Sequence, residues 1–327
     1  MDKIRKSLRK SYFVVNKIYL FLIFLLLAIE DISLGFYYFL ISSFIYLLKV
    51  FRSKVPIEVD REFEVKTFVY KKTVNKELKL DLYLPYKAGN KNPLVFFCHG
   101  GGWISGFRNQ PNNVSWCKFL ASKGLAVVSI DYRYGYKNTM EDILSDYTDA
   151  LNYVKANHNQ LSIDKDRIVL MGLSAGGHLS LLYSTYHTNK MNEKEMEGIK
   201  GVVAYYPPTN LNHIFTSENK SIFAKFAAMQ TLKGRPVDNK AIYDYYSPIT
   251  WVSPSMVPCL IVHGKLDNVV PFNSSSMFVK ALKDNKVKHI FLVHKKGGHS
   301  FDTRFKDIGT VTILERTVGF IRKAVNM

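Results

Sequence analysis

Apolar residues are distributed along this chain in three distinct ways. Across residues 18–29 and again across 32–48 they run nearly unbroken, with Glu30 and Asp31 between the two runs. Beyond Val55 they alternate with polar residues. LKLDLYL (78–84) carries a leucine at every second position and EVKTFVY (64–70) mixes polar with apolar residues, the pattern of half-buried antiparallel strands. Six short runs then follow that are apolar almost throughout: PLVFFC (93–98), LAVVSID (125–131), RIVLMG (167–172), GVVAYY (201–206), CLIVHG (259–264) and HIFLVH (289–294). Strands covered on both faces read this way, as in parallel sheets. Between them lie stretches of helical period at 114–122, 140–156, 177–186, 274–284 and 308–324. Alternating β and α units predict an α/β fold in which a mostly parallel sheet carries helices on both faces. Residues 209–246 show no strand pattern and are rich in Asn, Phe, Tyr and Lys, so they predict a small cap-like insertion over the carboxyl ends of the strands, where open α/β sheets bind ligands.

The first 54 residues follow a different logic. Lys3, Arg5, Lys6, Arg9, Lys10 and Lys17 precede the long apolar runs, and Lys49, Arg52 and Lys54 follow them. Twelve of the forty residues from Tyr12 to Phe51 are Phe or Tyr. One continuous helix through both runs would be about 46 Å long at about 1.5 Å per residue, well beyond a hydrocarbon core of roughly 30 Å, and would bury two carboxylates in it. A helical hairpin or an in-plane anchor avoids both problems. Residues 1–54 are therefore expected to be a basic, hydrophobic helical segment that attaches the chain to membrane lipid, ahead of a catalytic domain at 55–327. The positive-inside tendency places that domain in the cytoplasm; a single signal-anchor with the domain outside is the alternative. No small-residue cleavage site follows Leu27, which argues against a cleaved signal.

Composition narrows the function classes. The chain has 327 residues, 47% of them hydrophobic and 22% charged, which excludes a disordered protein. Its three cysteines are too few for a disulfide scaffold, and Cys98, Cys117 and Cys259 are expected to be buried free thiols. The net charge is +18, of which the first 54 residues carry +6. The rest is spread along the chain without a basic cluster interleaved with aromatics, so the charge does not indicate a nucleic-acid partner.

Candidate chemistry lies where apolar runs end. Gly172-Leu173-Ser174-Ala175-Gly176-Gly177 closes one run and opens a helical stretch, the context in which a G-x-S-x-G turn exposes a serine hydroxyl at a helix N-terminus. His99-Gly100-Gly101-Gly102-Trp103 follows another run. Consecutive glycines leave backbone N–H groups unobstructed, so Gly101 and Gly102, with Ala175, are the candidate donors of an oxyanion hole. Asp267 in GKLDNVVP and His299 in GGHSF follow two further runs, and the order Ser, Asp, His is that of the triads found on α/β sheets. Ser174, Asp267 and His299 are thus the candidate catalytic residues. Trp103, Tyr206 and Phe272 are candidates for the substrate pocket, and Arg133 with Asp146 for a structural ion pair. No cysteine and histidine cluster has metal-ligand spacing, and no glycine-rich phosphate loop is present.

With HGGGW, DYR (131–133), GLSAGGHLS, YSPITWVS (246–253), LIVHGKLDNVVP and GGHSF occurring in order, the chain from Glu62 to Met327 resembles the bacterial esterase/lipase branch of the α/β-hydrolases with an HGGG oxyanion loop, which groups hormone-sensitive-lipase-like carboxylesterases with acetylxylan and feruloyl esterases. The resemblance implies the α/β-hydrolase fold and hydrolysis of an ester by Ser174, Asp267 and His299 without metal or cofactor. Hydrolysis of an amide by the same triad is the nearest rival; a membrane-anchored scaffold without activity is a remoter one.

Overall fold

A computed structural model of the chain describes residues 53–59 and 62–327. The expected anchor at 1–54 lies outside these residues except for its last two. Among the described residues, no helix is long and apolar enough to cross a membrane.

Eight strands form one sheet: β1 (Val65–Lys72), β2 (Glu77–Tyr83), β3 (Asn92–Cys98), β4 (Ala126–Ile130), β5 (Ile163–Leu173), β6 (Ile199–Tyr205), β7 (Cys259–Gly264) and β8 (His289–His294). Their order is β1-β2-β4-β3-β5-β6-β7-β8. The two alternating segments, β1 and β2, pair antiparallel, β2 also pairs antiparallel with β4, and every pair from β4 to β8 is parallel. Side chains of β3 show why the central runs are apolar throughout. Leu94, Phe96 and Cys98 enter the core on one face and Val95 and Phe97 the core on the other, all fully buried.

Helices α2 (Met140–Ala156), α3 (Ala175–Asn189) and α6 (Phe272–Asp284) contribute to the first core; α1 (Pro111–Ser122) and α7 (Ile308–Ala324) cover the second. α1 begins at Pro111, earlier than its apolar period suggests, because proline suits the first helical position: its fixed φ matches the helix and its missing N–H would have had no partner. β8 departs from expectation. Its apolar run predicts burial on both faces, yet Ile290 and Val293 are exposed: β8 is the last strand of the sheet, and among the described residues no strand pairs with its outer edge.

The insertion is helical. A 3₁₀ turn at Leu211–Phe215 leads to α4 (Ile222–Leu232) and α5 (Lys240–Tyr245). α4 packs inward with Ala224, Ala227, Ala228, Thr231 and Leu232, and turns Ile222, Phe223 and Phe226 outward. Two arginines anchor loops, one to the sheet and one to α2. Arg108 bridges Asp81 (2.9 Å) and Asp131 (2.7 Å), and Arg133 grips Asp146 through Nε at 2.7 Å and Nη2 at 2.9 Å, the expected structural pair.

Candidate active site

The chain turns from β5 into α3 at Ser174, whose backbone sits at φ 52° and ψ −115°. A non-glycine residue rarely holds that conformation, so the surroundings must enforce it. Neighbouring glycines allow the turn. A Cβ on Gly172 would lie 2.1 Å from the Gly176 carbonyl carbon, and one on Gly176 would lie 2.1 Å from the Cys98 carbonyl oxygen of β3. Either contact is far inside van der Waals distance, so β5, α3 and β3 meet at this point only without side chains. Ser174 N–H donates to the Tyr205 carbonyl (2.9 Å), and its own carbonyl accepts from His178 N–H (2.9 Å), which leaves Oγ to the cleft.

His299 and Asp267 arrive from the loops after β8 and β7. His299 Nε2 lies 3.1 Å from Ser174 Oγ, and Nδ1 lies 2.7 Å from Asp267 Oδ2. Three sequence candidates 32 to 125 residues apart thus form one hydrogen-bonded row. Asp267 is held on both oxygens. Oδ1 accepts the N–H groups of Val269 (2.8 Å) and Val270 (2.9 Å). Burial works to raise its pKa, but the adjacent His299 and hydrogen bonds from His263 and His299 outweigh it and hold the carboxyl well below the usual carboxylate range.

His263 was not among the sequence candidates. It is fully buried at the end of β7, with Nε2 3.2 Å from Asp267 Oδ2 and Nδ1 2.7 Å from Ser275 Oγ. Asp267 therefore faces two imidazoles. The signal for it was the four-residue spacing in HGKLD, directly before the acid. A second buried carboxylate stands behind the row. Asp302 accepts from Trp116 Nε1 (2.7 Å) and Tyr206 Oη (2.8 Å), and the Tyr206 ring packs on His299 with centroids 4.5 Å apart. Burial pushes the Asp302 pKa up.

The HGGG loop runs along the other side of the serine. A Cβ on Gly100 would stand 3.3 Å from Ser174 Cβ, which measures how closely the loop is drawn in. His99 Nδ1 holds the Gly100 carbonyl at 2.6 Å, and the His99 ring is stacked on Tyr132, so the histidine of the motif braces the loop from behind. Burial lowers the His99 pKa to about 4, and the ring is neutral at pH 7. Gly101 and Gly102 take φ of 122° and 60°, in the left-handed region open to glycine. Among the described residues, no backbone hydrogen bond takes up the N–H of Gly101, Gly102 or Ala175.

Two pocket expectations need correction. Trp103 is 3% exposed and Tyr206 2%. Trp103 donates through Nε1 to His178 (3.3 Å), a neutral ring whose pKa burial lowers to about 4, and Tyr206 backs His299 as described. Neither offers surface to a ligand. Trp103 follows the HGGG glycines and Tyr206 follows the end of β6, positions from which a side chain can turn into the core as well as toward the cleft. Phe272 opens α6, stacked on Phe291 (5.6 Å) beneath the Lys265 ammonium. An aromatic ring beside the HGGG loop belongs to Phe223 of α4, 3.0 Å from where a Cβ on Gly102 would be. No group of His, Cys, Asp and Glu among the described residues could hold a metal ion.

Known proteins share this architecture. A truncated carbohydrate esterase from gut microbiota superposes with a TM-score of 0.70 at 21% identity, over 82% of this chain and 99% of that one. Esterase 2 of Thermogutta terrifontis gives 0.62 at 25% identity, over 80% and 92%. In sequence the chain is 28% identical to isoprenylcysteine alpha-carbonyl methylesterase ICME of Arabidopsis thaliana over 63% of its length and 49% of the relative's. It is also 28% identical to esterase LipC of Mycobacterium tuberculosis, over 64% and 53%. The chain spans about half the length of the curated relatives it matches. The BD-FAE family model matches residues 80–282, from β2 through the HGGG loop, Ser174 and Asp267 to α6. With that match over more than half of its residues, and with the α/β-hydrolase sheet beneath it, the chain belongs to the BD-FAE family.

Proposed function

We propose that this protein is a serine carboxylesterase acting on esters of small or medium acyl groups. The observation that carries the reading is the row Asp267–His299–Ser174, with contacts of 2.7 and 3.1 Å, at the carboxyl ends of three strands. In this mechanism His299 Nε2 takes the proton of Ser174 Oγ as the hydroxyl attacks the ester carbonyl, and Asp267 fixes the tautomer that leaves Nε2 free to accept. Charge that develops on the carbonyl oxygen meets the N–H groups of Gly101, Gly102 and Ala175. One such donor contributes roughly 10²–10³-fold to kcat. His299 then returns the proton to the leaving alcohol. Water, deprotonated by the same ring, releases the acid from the acyl-enzyme. The chemistry draws on no metal or cofactor.

Relatives support ester hydrolysis: LipC and ICME are named as esterases, and Thermogutta esterase 2 is known in a form phosphonylated by sarin. The proposal includes attachment of the catalytic unit to a lipid surface, on its cytoplasmic side, through the basic and apolar residues 1–54. The test compares hydrolysis of short p-nitrophenyl esters with matched anilides by the full chain. Turnover of the esters, falling with acyl length, is the expected result; faster cleavage of the anilides assigns the site to amides instead.

A further inference from the structure

Helix α4 is turned inside out relative to an ordinary surface helix. Its buried side is built of small residues, Ala224, Ala227 and Ala228, while Ile222 (83% exposed), Phe223 (49%) and Phe226 (48%) face solvent. Contiguous apolar surface of this kind marks an interaction site. Its place in the molecule gives it meaning. At one end Phe223 stands against Gly102 of the HGGG loop, so the apolar face begins at the mouth of the catalytic cleft. At the other end Lys233 Nζ donates to the Gly135 carbonyl (2.6 Å), and Gly135 N–H donates to the Trp103 carbonyl (2.8 Å).

Beside α4, Tyr134, Tyr136, Lys137 and Asn138 line a cleft of about 650 Å³ together with the turn between β1 and β2. Lys72, Lys76 and Lys137 line it together with Tyr134 and Tyr136. Lys76 lies over the Tyr134 ring (5.0 Å) and Lys137 over the Tyr136 ring (5.9 Å), and neither takes part in an ion pair of the described residues. Lys72 is 3.6 Å from Glu77. At the tip of the turn Val74 is fully exposed, and Tyr136 is 48% exposed. An apolar helix face, an exposed valine, an exposed tyrosine and two lysines, Lys76 and Lys137, with tyrosine rings rather than carboxylates beside them are the components of a surface that enters a headgroup layer: apolar groups reach the acyl boundary while ammonium groups meet anionic phosphates. A nucleic acid would leave Ile222, Phe226 and Val74 without a role.

We propose that α4 and the adjoining lysine cleft dock the catalytic unit onto an anionic lipid bilayer, with the mouth of the cleft at the membrane surface. The docking rests on the esterase reading only in what it delivers, an amphiphilic ester held at the interface. The test uses the full-length chain carrying Phe226→Cys, labelled with a polarity-sensitive fluorophore. Cys98, Cys117 and Cys259 are buried, so the label goes to the new thiol. Vesicles of phosphatidylcholine mixed with phosphatidylglycerol should shift the emission to the blue, vesicles of phosphatidylcholine alone should do so much less, and Lys72→Gln/Lys76→Gln/Lys137→Gln in the labelled chain should abolish the difference. The label reads α4 itself. Attachment through residues 1–54 alone would leave the emission unchanged and overturn the proposal, as would equal shifts on both vesicles. Blue emission already present in buffer would also overturn it, assigning the face to a second copy if it grows with protein concentration and to another segment of this chain if it does not. The label reports no turnover, so failure here is distinguishable from failure of the ester reading.

Discussion

Replacing Asp267 by asparagine tests the assignment of roles atom by atom. The two backbone N–H groups of Val269 and Val270, at 2.8 and 2.9 Å, require an oxygen at the Oδ1 position. The amide nitrogen must therefore take the place of Oδ2, 2.7 Å from His299 Nδ1, where it donates instead of accepting. His299 is forced to accept at Nδ1 and to carry its proton on Nε2. That proton points at Ser174 Oγ across 3.1 Å, and the ring loses the lone pair it needs as a base. The same tautomer change costs other serine hydrolases about 10⁴-fold in kcat, or about 5 kcal/mol at about 1.4 kcal/mol per decade. The assay is kcat for a short p-nitrophenyl ester at neutral pH, with circular dichroism to establish that the variant is folded. A folded variant that keeps more than about a tenth of the parent kcat would refute the role assigned to Asp267. The substitution also has a pH signature. The native pKa of Asp267 is held below its unfolded value of about 3.9, so its ionised form stabilises the fold above about pH 4, and this contribution is lost as pH falls through the lower native value. The gap in Tm between parent and Asp267→Asn should be widest at neutral pH and narrow below about pH 4; a gap independent of pH contradicts the ionised assignment.

Two further substitutions probe the support of the site. His263→Ala removes a donor 3.2 Å from Asp267 Oδ2 and should lower kcat about tenfold with KM unchanged, while His263→Gln, which keeps a donor, restores part of kcat; an unchanged kcat, or a loss that His263→Gln does not restore, assigns His263 to packing alone. Gly176→Ala drives a Cβ to 2.1 Å from the Cys98 carbonyl oxygen and should cost at least about 3 kcal/mol in stability by chemical denaturation, whereas a cost below about 1 kcal/mol would show that β3 and α3 part more easily than their packing implies.

Most strands were legible because burial on two faces leaves a run of apolar residues with sharp ends: 259–264 and 289–294 match β7 and β8 residue for residue. The same run could not reveal that β8 is an edge, since edge status depends on what pairs beyond it. The candidate triad was legible because each member sits where a run stops and a short glycine-bearing motif begins. α4 escaped notice for a physical reason: alanines line its buried side and large apolar residues its exposed side, so its hydrophobicity carries little helical period. The inward turn of Trp103 and Tyr206 was equally illegible. It is decided by His178 and Asp302, partners 75 and 96 residues away.

The central claim is that Ser174 Oγ is a nucleophile activated by His299. It is tested most directly by treating the full chain with a fluorophosphonate and locating the adduct by mass spectrometry of its peptides. The account predicts one covalent adduct, on the peptide containing Ser174, together with loss of esterase activity. It also predicts no adduct in Ser174→Ala and a greatly slowed reaction in His299→Ala. A folded protein that remains unlabelled at Ser174, or that keeps hydrolysing esters after Ser174→Ala, would contradict it.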